Sequence, residues 1–380
     1  MGVLIIGCGL TGSVIARHLA EQGKKVTIWE RRNHIGGNMY DYKDKNGIMV
    51  HQYGPHVFHT YTKELMDFMQ QYGKWTDFPI TCQVYMLNQF TPSPFNYKTI
   101  DDYYSEEDAR ALKKALEQEY PGQTKATIVE LLESKNPLVK QYADFLFAHD
   151  YSLYTAKQWG MKPSQIDPSV LKRVPVLFSY KDGYFDDTWQ KVPEDGYTAW
   201  FEQLLDHPNI QVCLNVEAKD RLRIKNDRIL LDGAVFEKPV VYTGALDELL
   251  GQKYGALPYR SLRFEWKTEE VPHYQGAALV AYPEAEGYTR ITEYTHFPQK
   301  ESHDVTSLAY EYPATYVSGK KVEPYYPILN EESMRAHERY LEDAKKVPNL
   351  ICCGRLADFK YYNMDQALER ALAICAEHFK

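Results

Sequence analysis

The sequence predicts an α/β fold in three parts: a discontinuous Rossmann-like domain, a mainly helical domain and an antiparallel-sheet domain. Three observations carry this reading. Residues Met1 to Gly12 read MGVLIIGCGLTG and lead through a helical stretch to the extended run Lys25 to Trp29 and then Glu30, the order of a dinucleotide-binding βαβ unit. Apolar residues then recur at helical spacing over 106–120 and 127–148. Between Arg260 and Tyr316 the pattern becomes extended, and from Leu350 it returns to a strand, a Gly354-Arg355 turn and a closing helix from Met364 to Phe379.

Taken in order, Gly7 allows the tight turn after the first strand, Gly9 lets backbone approach a pyrophosphate at the helix N-terminus, and Gly12 lets helix and strand pack closely. Glu30 is placed to accept a ribose hydroxyl. The extension Arg31-Arg32-Asn33-His34-Ile35-Gly36-Gly37-Asn38 carries a second glycine pair, which points to another close backbone approach and to FAD rather than NAD. The alternatives are an ordinary surface turn and, for the arginines, a solvated edge. A helix is expected from about Lys63, a strand over Thr81 to Leu87, a short helix before Leu205, and strands over 210–216, 221–224, 228–236 and 240–245, the last ending at a glycine-rich cofactor contact. In the extended region the strand candidates are 262–266, 276–282, 289–294 and 307–312. The expected boundaries are 1–78, 194–245 and 320–380 for the FAD-binding domain, 98–193 for the helical domain, and 79–97 with 246–319 for the sheet domain.

A chain of 380 residues is long enough for two or three domains, and a formal charge of −8 offers no broad basic face for nucleic acid. No apolar run approaches the ~20 residues of a membrane span and no leader is evident, so a cytoplasmic location without stable membrane insertion is expected. The six cysteines lack metal-site spacing, and Cys352 and Cys353 read as strand packing. His56 and His59 stand three apart with no third ligand nearby, so no metal is expected. No nucleophile turn or Ser-His-Asp order emerges.

The chain resembles the UDP-galactopyranose mutases, of bacterial type, across nearly its whole length. The resemblance rests on the N-terminal motif with its GGN extension, on 54–60 (GPHVFHT), 94–96 (PFN), Trp159-Gly160, 173–176 (RVPV), Tyr184-Phe185, 288–293 (YTRITE), 323–327 (EPYYP), and Gly354-Arg355-Leu356 leading to Tyr361 and Met364. It implies a non-covalently bound FAD, active when reduced, and interconversion of UDP-galactopyranose (UDP-galactose) and UDP-galactofuranose through a bond between reduced flavin N5 and sugar C1, without net redox change. It gives Arg173 and Arg290 to the substrate diphosphate, with hydroxyls of Tyr184, Tyr326 and Tyr361 beside them, and places Tyr154 and Trp159 around the uridine. It brings His56, His59, Gly354, Arg355, Tyr361 and Met364 to the flavin alongside Gly7, Gly9, Gly12, Glu30, Arg31, Gly37 and Asn38. Arg173, Arg290 and His59 then form the catalytic set. A homodimer and an external reductant such as NADPH or NADH are also implied.

The residues themselves fit such roles. Pro175 favours a loop or helix end at Arg173, suited to a mobile cation, whereas Arg290 falls in a strand and offers a more fixed contact. Tyrosine hydroxyls orient phosphate oxygens at less desolvation cost than another buried cation. Three positions depart from the resembling pattern: no second arginine follows Arg173, Asn363 stands where many relatives carry aspartate, and Gly183 precedes Tyr184 without a polar side chain. The rival reading is a flavin amine oxidase-like FAD-dependent oxidoreductase, which explains the N-terminal motif but not the arginines and tyrosines matched in three distant regions.

Overall fold

The computed structural model describes residues 2–159, 175–319 and 322–379. Its first sheet is parallel and five-stranded, in the order Ile210–Cys213, Val26–Trp29, Val3–Ile6, Val240–Tyr242, Leu350–Cys352. Strands of such a sheet are buried on both faces, so they read as continuous apolar runs. Val3, Ile5, Ile28 and Val241 face the helices Leu10–Glu21, Tyr197–Leu205 and Met364–His378, while Leu4, Ile6, Val240 and Tyr242 face the side covered by Glu331–Lys345. Segments from the start, middle and end of the chain therefore build one nucleotide-binding layer. The strand candidates at 221–224 and 228–236 do not join it. Leu222–Lys225, Arg228–Leu231 and Ala234–Val235 form a separate meander.

The second large sheet has seven strands, ordered Tyr326–Pro327, Tyr259–Glu269, Thr306–Thr315, Arg290–Glu293, Leu279–Ala281, Cys82–Met86, Gln89–Ser93. It is antiparallel except where Leu279–Ala281 runs parallel to Cys82–Met86, a pairing that joins distant parts of the chain. It also recruits Tyr326–Pro327, which the expected boundaries left in the nucleotide-binding part. Likewise, Trp189–Pro193 lies between Phe58–Thr60 and Trp75–Asp77 in a small sheet, so the segment leaving the helical part is stitched to the first.

The helical part comprises Tyr97–Tyr103, Glu106–Glu119, Ile128–Leu132, Pro137–Leu146 and Ser152–Trp159 around a core that includes Leu112, Leu116, Ile128, Tyr142 and Leu146. Capping fixes where these helices start. Asn96, Ser105, Thr127 and Asn136 each accept a backbone N–H of the first turn, and Pro137 occupies a position where a missing donor costs nothing. One turn of π-helix over Phe147–Tyr151 separates the last two helices and sets the direction of the element carrying Tyr154.

Candidate functional site

A long cavity opens along the C-terminal edge of the parallel sheet, where an open α/β sheet places its ligands. It is lined by Gly7, Gly9, Gly12, Glu30, Arg31, Gly37, Asn38, His56, Gly354, Arg355 and Met364, eleven of the residues expected to touch cofactor. Thr243 and Gly244, at the end of strand Val240–Tyr242, line it as well. Gly7 has φ +104, and a Cβ there would lie 2.1 Å from Thr243 Oγ1. Gly37 has φ +58, and its Cβ would stand 2.9 Å from Gly9 Cα. The two glycine loops thus touch backbone to backbone, and helix Leu10–Glu21 presents its unbonded N–H groups beside them.

Glu30 is buried, its Oε2 accepting Cys8 N–H at 2.8 Å and its Oε1 accepting Arg32 N–H at 2.9 Å. An ionised carboxylate has further lone pairs, so a ribose hydroxyl can still be received. Arg31 and Arg32 both pair with Glu323, and Arg32 Nη2 donates to Asn38 Oδ1 at 2.8 Å. Arg32 is the residue sequence reasoning missed. Its Nε and Nη1 are buried without a hydrogen-bond partner, and its guanidinium lies 4.5 Å from the centre of the Tyr53 ring, so Arg32 brings positive charge to the cavity wall while its donors are turned to Glu323 and Asn38. Two abutting glycine loops, a helix N-terminus and the nearby charge of Arg31 and Arg32 together fit a pyrophosphate. The only sequence signal for Arg32 was its place in the run after Glu30.

His56 is held neutral, pulled down to about 3 by burial, with His51, Arg355 and Arg290 adding to the effect. Its Nδ1 lies 2.8 Å from the Gly54 carbonyl, and its backbone N–H donates to His51 Nδ1 at 3.0 Å. The influence of both arginines on His56 shows that the cavity adjoins a second cluster.

That cluster is centred on Arg290. Strand register sets Arg290 directly opposite Glu311, whose buried carboxylate receives its Nε at 2.7 Å. Burial opposes the arginine's charge, but Glu311 outweighs it, and Tyr154 and Tyr184 stand within electrostatic reach. Tyr154 is half-buried, its hydroxyl pushed up to about 12 by burial. Tyr326 feels Arg290 and Arg355, stacks on Tyr361 with centroids 4.1 Å apart, and has the Arg355 guanidinium 4.3 Å from its ring. Arg355 thereby joins cofactor cavity and tyrosine cluster. Tyr184 and Tyr361 remain exposed.

His59 and Tyr361 do not line the cavity. His59 instead stacks on Phe185 at 3.7 Å, and its Nδ1 lies 3.0 Å from Asp187 Oδ2. Phe185 in turn meets Tyr184 edge-on, so one segment, 184–187, connects His59 to the tyrosines. The 94–96 motif acts behind them: Asn96 caps a helix and donates to the Lys181 carbonyl at 3.0 Å. Arg173 lies outside the described residues, as does the side chain of Trp159, which ends the helix Ser152–Trp159. Among the described residues one His-Glu-His group, His273, Glu293 and His296, has the spacing of a metal site. Glu293 already accepts backbone N–H groups of Tyr274 and Gln275, each at 2.8 Å, and His296 Nε2 bonds the Gln275 carbonyl at 2.8 Å. The group is a hydrogen-bond knot.

Fold and cradle define a Rossmann-type dinucleotide-binding protein. A UDP-galactopyranose mutase family model matches residues 150–361, and a model of the NAD(P)-binding Rossmann-like domain matches residues 5–72. The chain is 35% identical to a UDP-galactopyranose mutase of Mycoplasma pneumoniae, covering 97% of this chain and 94% of that one. It is 35% identical to a dTDP-fucopyranose mutase of Escherichia coli, over 99% of this chain and 97% of the other. The chain belongs to the UDP-galactopyranose mutase family. A crystal structure of a reduced UDP-galactopyranose mutase superimposes with a TM-score of 0.70 at 17% identity, over 98% of this chain and 93% of that one. A putrescine oxidase reaches 0.57 at 13% identity over 99% and 98%, a likeness of fold alone. Among the described residues no helix is long and apolar enough to cross a membrane.

Proposed function

We propose that the chain interconverts UDP-galactopyranose and UDP-galactofuranose with a bound, reduced FAD, and without net oxidation. The observation that supports this best is the adjacency of two sites suited to anions, the glycine-loop cradle and the Arg290 cluster, with Arg355 between them. One suits a cofactor pyrophosphate and the other a substrate diphosphate. When bound and reduced, FAD supplies a nucleophilic nitrogen for the anomeric carbon as UDP departs, a role that no side chain of the site fills.

The chain's own residues then bind and align. Arg290, fixed by Glu311, presents its remaining donors to the diphosphate, and Tyr184, Tyr326 and Tyr361 orient phosphate oxygens. Arg173 adds a second cation from the segment after Trp159. Each such donor strengthens its contact as negative charge gathers on the leaving diphosphate, an effect on the scale of ~3–4 kcal/mol for one well-placed donor. Neutral His56 shapes the flavin side, and the His59–Asp187 pair backs Tyr184 through Phe185. NADPH or NADH serves as reductant, and the protein works as a cytoplasmic homodimer that supplies cell-envelope polysaccharide synthesis.

The test is paired. Dithionite-reduced enzyme should convert UDP-galactose to the furanose, and oxidised enzyme should be nearly inactive. dTDP-fucose, offered in parallel, reports the sugar and base preference. Equal isomerisation by permanently oxidised enzyme, or one nicotinamide consumed per sugar converted, overturns the reading. Oxygen uptake with stoichiometric oxidised product instead identifies an amine oxidase-like enzyme.

A further inference from the structure

Lys157 lies on the helix Ser152–Trp159, which also carries Tyr154. Its ammonium donates to the carbonyls of Ala285 at 2.9 Å and Tyr288 at 2.8 Å, and to that of Tyr282. An ammonium has three hydrogens to give and no acceptor, so this set uses all of them. The three carbonyls bracket the turn that connects strand Leu279–Ala281 to strand Arg290–Glu293. Half-buried Asp150 lies within electrostatic reach, and its field works against the loss of the Lys157 proton that burial favours. The same turn is held a second time through Glu284, which meets His149 Nδ1 at 3.3 Å and accepts Leu87 N–H at 2.9 Å.

A half-buried lysine satisfied by carbonyls is often only a staple. The elements joined here are the helix of Tyr154 and the strand of Arg290, and their separation sets the width of the diphosphate and uridine site. Arg290 begins its strand two residues beyond the last clamped carbonyl, and Thr289 between them is tied into the sheet by its N–H to the Glu311 carbonyl and its carbonyl to Tyr282 N–H, each at 2.8 Å, so the ladder fixes the strand and Lys157 fixes the Tyr154 helix against it. Side-chain contacts with Glu311 fix where the guanidinium points, but not how far it stands from Tyr154.

We propose that Lys157 is a positioning residue for nucleotide-sugar binding, a clamp that fixes the Tyr154 helix against the Arg290 strand and acts through those residues without touching substrate. This rests on the assignment of Arg290 and Tyr154 to the substrate. The test is a double-mutant cycle on the FAD-loaded enzyme with Lys157→Met and Arg290→Ala, reading UDP affinity by calorimetry, KM and kcat for UDP-galactose, FAD content and the thermal midpoint. Lys157→Met alone should weaken UDP binding and raise KM by about tenfold, the scale of a sub-ångström misplacement, with FAD content near wild type and kcat within about threefold. In the Arg290→Ala background the same change should cost less than about threefold, because the group it places is gone.

Full additivity in the two backgrounds, or wild-type UDP affinity in Lys157→Met while Arg290→Ala binds weakly, overturns the clamp and leaves the substrate assignment standing. Wild-type UDP affinity in Arg290→Ala overturns the assignment and the clamp together. Should the Asp150 carboxylate left behind prevent folding, Asp150→Asn/Lys157→Met removes both charges and is read in the same cycle with the same expectations.

Discussion

Gly9→Ala and Gly12→Ala each add one methyl group to the same glycine-rich turn, and the structure predicts opposite consequences. At Gly9 the backbone is extended, with φ −82 and ψ −173, which alanine adopts freely. A Cβ there meets only Gly37 Cα at 3.8 Å, an ordinary contact, so it projects into the cavity where the pyrophosphate is proposed to lie. At Gly12 a Cβ would fall 2.1 Å from the Gly7 carbonyl oxygen and 3.2 Å from Ile5 Cγ2, and helix Leu10–Glu21 must lift from its strand. Apo Gly9→Ala should therefore lose no more than ~1 kcal/mol, the scale of a poorer helix N-cap. Its FAD affinity should fall at least ~10-fold, or ~1.4 kcal/mol. Apo Gly12→Ala should lose stability instead, since overpacking of ~1–3 kcal/mol, at the upper end for so close an approach, exceeds the gain from alanine's helix propensity. Urea unfolding of both apoproteins and fluorescence titration with FAD measure the two quantities. Wild-type FAD affinity in Gly9→Ala, or wild-type stability in apo Gly12→Ala, would refute the reasoning.

Three further outcomes follow from the site. Arg290→Ala should weaken UDP binding and also destabilise the fold by ~2–3 kcal/mol, because Glu311 is left buried and unpaired; Arg290→Met/Glu311→Gln should recover the stability but not the binding, as paired calorimetry and denaturation will read. Arg173→Ala should depress turnover with FAD content and thermal midpoint unchanged, and steady-state kinetics with UDP-galactose checks it. His51, pulled by burial from the ordinary 6.5 to about 3, stays neutral in the fold while the unfolded chain takes up a proton below pH 6.5. Its contribution to stability is thus lost as pH falls through that window, by ~2 kcal/mol at pH 5, and His51→Gln should remove that part of the slope between pH 7 and 5 in urea titrations.

The nucleotide-binding turn was legible because its requirements are local: the spacing of Gly7, Gly9 and Gly12 before a helix and Glu30 after a strand follows from one βαβ unit. Gly354, Arg355 and Met364 were reached through resemblance, and the structure brings them to the same cavity. The partners that set the chemistry were less legible. Glu311 faces Arg290 only through cross-strand register, and Glu323 reaches Arg31 and Arg32 from far along the chain. Neither relation leaves a periodic trace. The parallel pairing of Cys82–Met86 with Leu279–Ala281 was hidden for the same reason, since an extended run shows its faces but not its direction. Lys157 leaves no sequence signal at all, because its carbonyl partners lie more than a hundred residues away.

The cofactor cavity is lined both by Gly7 and by Gly354, Arg355 and Met364, Gly354 packing against Thr11 of the glycine turn, and its sheet is completed by the strand Leu350–Cys352. During synthesis the glycine turn is made more than three hundred residues before Gly354, Arg355 and Met364. The cradle is therefore complete only once those later segments dock against the turn. A nascent protein stalled before these segments should hold FAD more weakly than the whole chain.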